Sequence, residues 1–256
     1  MGRIMSSIAA AFGLFSRIPV PQVPWTRDTM RYALAALPAV GAVQGVVCVL
    51  WGAAAAASGL PPMLVAAGLL LIPLLVNGGI HLDGFADTSD ARASHAERAR
   101  KLEIMADPHI GAFGAMAVAA YLIVLFAVIS CYPAGAAPLA VMPGVFVLSR
   151  CLSALAVTVW KPAKETGIAR TLSDDAATRQ VAAVLAVLAV LAAAWMAAWG
   201  GVPGAVSAAS ALLAFAWYRH MAMAEFGGVS GDLAGWFIQV AELTMLAVFV
   251  IGSVVA

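Results

Sequence analysis

Asp83, Asp87, Asp90, Glu97, Glu103 and Asp107 are six of the chain's thirteen acidic residues, and they fall within 25 consecutive positions of the run NGGIHLDGFADTSDARASHAERARKLEIMADPHIGAFG. At about 100° per residue, Asp83, Asp87 and Asp90 occupy an arc of about 60° on one face of a helix. Carboxylates that point the same way repel one another unless a cation lies between them. Mg²⁺ suits such a face, because it takes a few carboxylates and completes its shell with water and substrate phosphate oxygens. Glu103 and Asp107, about one turn apart, offer a second acidic edge and room for a second metal ion. Gly78, Gly79 and Gly84 remove side chains around Asp83 and allow a ligand to approach the backbone closely. His81 could do acid–base chemistry, orient a carboxylate or cap the incoming helix. Two other readings stand beside this one. Arg92, Arg98, Arg100 and Lys101 could neutralise the acids pairwise on a solvated helix, or His81 and the carboxylates could hold zinc, although no Cys and no i, i+4 His pair supports that.

Further polar residues stand out against apolar surroundings. Arg150 and Glu242 each lie well inside a long apolar stretch, where an unpaired charge costs at least ~2.5 kcal/mol. They are expected to pair with each other; alternatively Arg150 faces a polar cavity and touches phosphate. The segment GGVSGD (227 to 232) could present backbone N–H groups to an anion, with Ser230 among the contacts. Asp232 is either a further metal ligand or a helix N-cap. Asn77 could hydrogen-bond across helices or line the site.

The elements that must position these residues are set by composition. The 256 residues are 63% hydrophobic and 11% charged, with a mean hydropathy of +0.97, whereas soluble domains average about 25% charged. A polytopic membrane protein is expected. A net charge of +1 and the lack of a basic tract exclude nucleic-acid binding as the main function. Cys48, Cys131 and Cys151 are widely spaced in apolar sequence and are expected to be small core residues rather than a disulfide framework or metal site.

No Asp, Glu, Lys or Arg occurs in residues 32 to 80, 110 to 149 or 180 to 218. A span needs about 20 apolar residues, and each stretch is broken near its middle by Pro and Gly, at SGLPP, CYPAGAAP and GGVPG. Three helical hairpins and a last span over 233 to 254 give an all-α, polytopic helical bundle of about seven transmembrane helices. An interfacial helix is expected at the N-terminus. The whole chain, 1 to 256, reads as one membrane-embedded domain with an acidic loop at 81 to 109. Apart from Arg150 and Glu242, charge collects at the N-terminus and in 81 to 109, 161 to 179 and 219 to 232. Enrichment of Lys and Arg in cytoplasmic loops places these segments on the cytoplasmic side of the cell inner membrane.

The run HLDGFADTSDA, followed by LEIM and IGAFG, strongly resembles the cobalamin synthase family, the adenosylcobinamide-GDP ribazoletransferases that close the nucleotide loop of vitamin B12. FSRIPVP (15 to 21), LSR (148 to 150) and GGVSGDLAG (227 to 235) extend the resemblance over nearly the whole chain. There are departures. After LEIM the family has a basic residue and then Asp-Ser-Arg-Ile-Gly, where this chain has Ala106, Asp107, Pro108, His109, Ile110 and Gly111. Where the family has two Glu three apart, this chain has Gln239 and Glu242.

The resemblance implies attack by a ribose hydroxyl of α-ribazole, or of its 5′-phosphate, on the cobinamide-side phosphorus of adenosylcobinamide-GDP, with GMP leaving. Such transfers need cations against phosphate oxygens and an in-line nucleophile more than covalent help. Asp83, Asp87 and Asp90 are then the Mg²⁺ ligands at the reacting centre, with one carboxylate or His81 taking the hydroxyl proton. Lys161, Lys164 and Arg170 become phosphate contacts, unless they only reflect positive-inside topology. The resemblance leaves the oligomeric state open, homo-oligomers included. A CDP-alcohol phosphotransferase is the nearest rival, but Asp83-Gly84 is followed by Phe85, Ala86 and Asp87, and its Gly-x-x-x-Asp-x-x-x-Asp motif is absent. A transporter is the rival from another class, and no internal repeat supports it.

Overall fold

A computed structural model describes residues 3–24, 26, 32–163 and 175–255. Lys164 and Arg170 lie outside the described residues. The helices are α1 (Arg3–Phe15), α2 (Ala33–Ala57), α3 (Pro62–Asn77), α4 (Ile80–Ala93), α5 (Arg98–Ile104), α6 (Ala112–Ser130), the short α7 (Ala136–Leu139), α8 (Met142–Val159), α9 (Asp175–Met221) and α10 (Gly231–Val255). A π-helical turn, Ala222–Phe226, follows α9. Among the described residues there is no strand, only an isolated bridge between Pro162 and Val229. The all-α expectation holds; helices end at the first two Pro- and Gly-containing breaks read from the sequence, and the third, GGVPG, falls inside α9 at the non-helical Gly201.

Among the described residues, five helices are long and apolar enough to cross a membrane, and six if the bent pair α3 and α4 is taken as one span. That is fewer than the seven expected. The difference turns on α9, whose 47 residues are interrupted by the non-helical Gly201 (φ 59°, ψ −142°). A straight helix of that length would reach about 70 Å, more than twice the hydrocarbon thickness. Instead α9 doubles back beside α8, since Val181 and Leu185 in its first part already share a core with Ala154 and Val157 near the end of α8. Trp195, before the break, donates its indole N–H to the Ala140 carbonyl near the start of α8 at 2.6 Å. Phe215 and Tyr218, after it, pack on Trp160 just beyond the end of α8, at 4.7 and 5.4 Å between ring centroids.

α8 is the centre of the bundle, with 78% of its span buried. α2, α9 and α10 surround it, and Met142, Val145, Phe146 and Leu152 of α8 share one core with Phe237, Met245 and Phe249 of α10. Two cysteines fit the expectation, since Cys48 and Cys151 are buried. Cys131, at the break after α6, is exposed and is not a core residue, because the chain turns there rather than packing.

The charged segments converge at one end of the bundle. Arg17 donates its backbone N–H to Val76 at 2.8 Å, and Val229 donates to Lys161 at 2.9 Å. Lys101 of α5 reaches Glu225 at 2.8 Å. The apolar breaks gather at the other end, where Gly52 faces Leu139 and Gly252 faces Pro203.

Candidate active site

The acidic face is created by a corner. Gly78 (φ 64°) and Gly79 (φ 80°) adopt successive left-handed conformations, which side chains with a Cβ rarely take. They turn α4 by 92° from α3. α3 has no charged residue, whereas α4 carries Asp83, Asp87, Asp90 and Arg92, so α4 is the surface arm of the pair. Its far side rests on α10. A Cβ on Gly84 would lie 2.7 Å from the Asp232 carbonyl oxygen, and this contact of backbone on backbone brings a fourth carboxylate to the cluster.

Burial, and then the charges of Asp83, Asp232 and Asp90 in that order, push the Asp87 carboxyl up to about 6. Asp90 is anchored, since its Oδ1 accepts the Gly114 backbone N–H at 3.0 Å and ties α4 to the first turn of α6. Asp83 stands between two clefts. One, of about 190 Å³, is walled by Leu14, Leu37, Val157 and Ile238 and also lined by His81, Asp83 and Asp232. The other, of about 530 Å³ and open, runs past Gly78, Gly79 and Ile110. Among the described residues no group of three or more His, Cys, Asp or Glu side chains is disposed to hold a metal ion unaided. The Asp87 carboxyl, raised first by burial and then by its neighbouring carboxylates, nevertheless belongs to a donor set whose repulsion a hard cation would relieve once substrate oxygens complete its shell.

The second acidic edge is not gathered with the first. Glu103 pairs with Arg100 at 2.9 Å on the surface. α5 ends at Ile104, so Asp107 shares no helix with Glu103. Its Oδ1 accepts the His109 backbone N–H at 2.9 Å and meets the His109 ring at 2.8 Å. That backbone bond first, and then the ring, hold the Asp107 carboxyl below its usual value.

Ser230 takes the capping role considered for Asp232. Its Oγ accepts the Leu233 N–H at 3.2 Å, and Asp232 lies in the first turn of α10 instead. The Lys161 side chain is exposed beside this segment. His81 is 5% exposed, and its Nε2 has no partner. Arg150 pairs with Glu242, as one of its two expected arrangements requires, and Asn77 meets the same guanidinium at 3.5 Å. Neither Arg150 nor Asn77 lines either cleft beside Asp83.

One arrangement was not read from the sequence. Arg92 donates from Nε and an Nη to Glu225 Oε1 at 3.2 and 3.1 Å, and Lys101 donates to the other oxygen at 2.8 Å. The Arg92 guanidinium also lies 5.5 and 5.4 Å from the rings of Trp217 and Trp236. The available signal was Glu225 itself, a single acid in the apolar MAMAEF. Gln44, isolated within α2, was a similar signal for the Arg150 network, to which its Oε1 belongs at 2.7 Å.

A family model described as cobalamin-5-phosphate synthase matches residues 7–250. An adenosylcobinamide-GDP ribazoletransferase of Lachnoclostridium phytofermentans is 36% identical over 93% of this chain and 91% of its own length. The proteins of the same name from Pseudomonas paraeruginosa and Desulfitobacterium hafniense are 30% and 31% identical, the first over 96% of this chain and 98% of its own length, the second over 94% and 95%. No solved structure matches. With its acidic corner, its Gly-rich α10 entrance and a match along almost its full length, the chain belongs to the cobalamin-5-phosphate synthase family.

Proposed function

We propose that this membrane protein is a Mg²⁺-dependent adenosylcobinamide-GDP ribazoletransferase. A ribose hydroxyl of α-ribazole, or of α-ribazole 5′-phosphate, attacks the cobinamide-side phosphorus of adenosylcobinamide-GDP. The new P–O bond replaces the bond to the leaving GMP, and adenosylcobalamin or its 5′-phosphate is formed. The observation that carries the reading is the meeting of Asp83, Asp87, Asp90 and Asp232 from two helices beside two clefts.

Asp83, Asp232 and the unbonded oxygen of Asp90 would hold Mg²⁺, which supplies charge neutralisation to the pyrophosphate oxygens. Asp87, pushed up to about 6, is matched to accept the hydroxyl proton near neutral pH. The exposed Lys161, next to the Gly-rich entrance of α10, offers its ammonium to phosphate oxygens. The basic side chains Arg98, Arg100, Lys101 and Lys161 collect at the same end as the acidic corner, which supports an inner-membrane orientation with the site facing the cytoplasm.

The test is a transfer assay on protein in detergent or liposomes with adenosylcobinamide-GDP and each acceptor, following GMP and corrinoid product with and without Mg²⁺. Metal-dependent release of GMP with a matching corrinoid is the expected result. Folded protein that yields no product with either acceptor would overturn the reading.

A further inference from the structure

The segment that follows α1 folds back along it and encloses a cavity of about 390 Å³. A Cβ on Gly13 would lie 3.8 Å from Val20, so the returning chain crosses α1 there. Ser16 fixes the turn, since its Oγ donates to the Phe12 carbonyl at 2.7 Å and accepts the Ile18 N–H at 3.3 Å. Ala9, Val20 and Val23 supply apolar wall to the cavity, and Arg17 and Gln22 supply polar groups. Among the described residues no Asp or Glu lines it.

Arg17 is an exposed cation that pairs with no acid among the described residues. It is nevertheless held in place. Its backbone N–H is bonded to the Val76 carbonyl at 2.8 Å, and its side chain lies against Gly78, where a Cβ would come 2.5 Å from Arg17 Cγ and Nε. Val76 and Gly78 mark the level at which α3 ends and the surface arm α4 begins. α1 is apolar from Ile4 to Phe15, too short to span a bilayer, and leaves Ile4 and Met5 exposed. Such a helix lies along the membrane surface, so the cavity opens at the boundary between hydrocarbon and water.

We infer that this cavity holds the headgroup of an anionic phospholipid, with the Arg17 guanidinium on its phosphate oxygens and the Gln22 amide on a neighbouring headgroup oxygen. An unpaired guanidinium in a cavity without acids calls for an anion, and its fork of N–H donors matches phosphate. A free phosphate would leave Ala9, Val20 and Val23 uncovered. A ligand with an apolar body attached to the phosphate satisfies both kinds of wall, and at this depth a phospholipid supplies it. The headgroup would then fasten α1 and the end of α3 to the membrane surface, at the level from which α4 departs. The inference does not depend on the proposed reaction.

The experiment compares dioctanoyl phosphatidylglycerol, dioctanoyl phosphatidylcholine and dioctanoylglycerol, which share their chains and differ in phosphate and net charge. Binding of each to the full-length protein in detergent micelles is followed by native mass spectrometry, which resolves the first bound lipid from later ones. Wild type is expected to bind its first phosphatidylglycerol more tightly than phosphatidylcholine. Arg17→Gln should weaken that first phosphatidylglycerol about tenfold, the scale of a hydrogen bond to a charged group, and Arg17→Lys should retain part of the affinity. Dioctanoylglycerol should bind wild type and Arg17→Gln alike. Gly13→Leu, which fills the cavity and keeps Arg17, should also weaken the first phosphatidylglycerol. Excess inorganic pyrophosphate with Mg²⁺ should leave that lipid bound.

Equal binding of phosphatidylglycerol by wild type and Arg17→Gln would overturn the inference, as would unchanged binding by Gly13→Leu. A matching loss of dioctanoylglycerol in Arg17→Gln would show that packing and not charge had been removed, with the same consequence. Displacement by pyrophosphate would hand Arg17 to a phosphorylated substrate instead of a lipid. Should Gly13→Leu fail to fold, the Arg17→Gln comparison and the displacement arm decide alone.

Discussion

Arg150 of α8 donates to Glu242 of α10 at 2.6 Å, across 92 residues of sequence, with side chains 0% and 5% exposed. Around this contact Ser149 donates to the same Glu242 oxygen at 2.9 Å. The other guanidinium nitrogen reaches Gln44 Oε1 of α2 at 2.7 Å. A charge deep in an apolar bundle is tolerated only when it is both paired and hydrogen-bonded. Here the satisfying groups come from α2, α3, α8 and α10, so the network fixes how those helices register beneath the acidic corner.

Removing one member should therefore cost more than removing both. Arg150→Met leaves the Glu242 carboxylate buried without its partner, a loss of about 3–5 kcal/mol. Arg150→Met with Glu242→Met should be less destabilised than Arg150→Met alone. Denaturant unfolding in detergent, monitored by tryptophan fluorescence, reads all three proteins. A double variant destabilised as much as Arg150→Met or more would overturn the expectation.

Asp83 lines both clefts, so its carboxylate cannot be replaced by a neutral isostere without emptying the centre of the donor set. Asp83→Asn is expected to lower kcat by about 100-fold or more, the scale of losing one fixed electrostatic contact to a transition state. Chelation of divalent cations should do the same to wild type, and Mg²⁺ should restore it. Wild-type rates in Asp83→Asn, in protein that unfolds normally, would remove the platform from the mechanism.

A pH profile follows from Asp87. Burial first and then neighbouring carboxylates raise its carboxyl to about 6, so it holds a proton below that pH and cannot accept the hydroxyl proton. At limiting Mg²⁺, kcat/KM should fall as pH drops through about 6. A nearby cation favours the charged carboxylate, so raising Mg²⁺ should move this limb to lower pH. A limb that ignores the metal concentration would separate Asp87 from the site.

What was legible in the sequence was mostly what an apolar environment makes expensive. The Arg150 to Glu242 pair could be read because two charges in long apolar stretches have few means of neutralisation. The 83, 87, 90 face could be read because helical periodicity is local. Asp232 joins it only because Gly84 lets α4 and α10 touch, a fact of packing that spacing does not encode. Glu103 and Asp107 were grouped by sequence proximity, yet each is satisfied by a neighbour within three positions, Arg100 and His109. The count of seven spans is left unconfirmed by α9, which doubles back at the non-helical Gly201 yet continues as one helical segment.

The Arg92 contacts call for a planar guanidinium and not only a positive charge. Arg92 reaches Glu225 with two nitrogens and lies beside both Trp217 and Trp236. Lysine can supply one contact and cannot stack in this way. Arg92→Lys should cost about 1 kcal/mol of stability, since the pair is partly exposed, and should reduce kcat more than KM by loosening α4. Equal turnover by Arg92→Lys and wild type would make the clamp purely a surface pairing.

Gly84 offers the test in which two effects of known sign oppose each other. In an exposed helix, Gly→Ala stabilises by about 1 kcal/mol through backbone entropy. At Gly84 the added methyl would sit 2.7 Å from the Asp232 carbonyl oxygen and 2.8 Å from its Cα. These are backbone atoms that no rotamer change can move aside, and overpacking of this kind costs about 1–3 kcal/mol. The clash should win, so Gly84→Ala is expected to be less stable than wild type and to push α4 away from α10. The same displacement separates Asp83 and Asp87 from Asp232, so activity should fall at temperatures where the variant is still fully folded. Parallel melting curves and initial rates for Gly84→Ala decide the matter: a stabilised variant with full activity would mean that α4 and α10 do not need their close contact, and that Asp232 contributes nothing to the acidic corner.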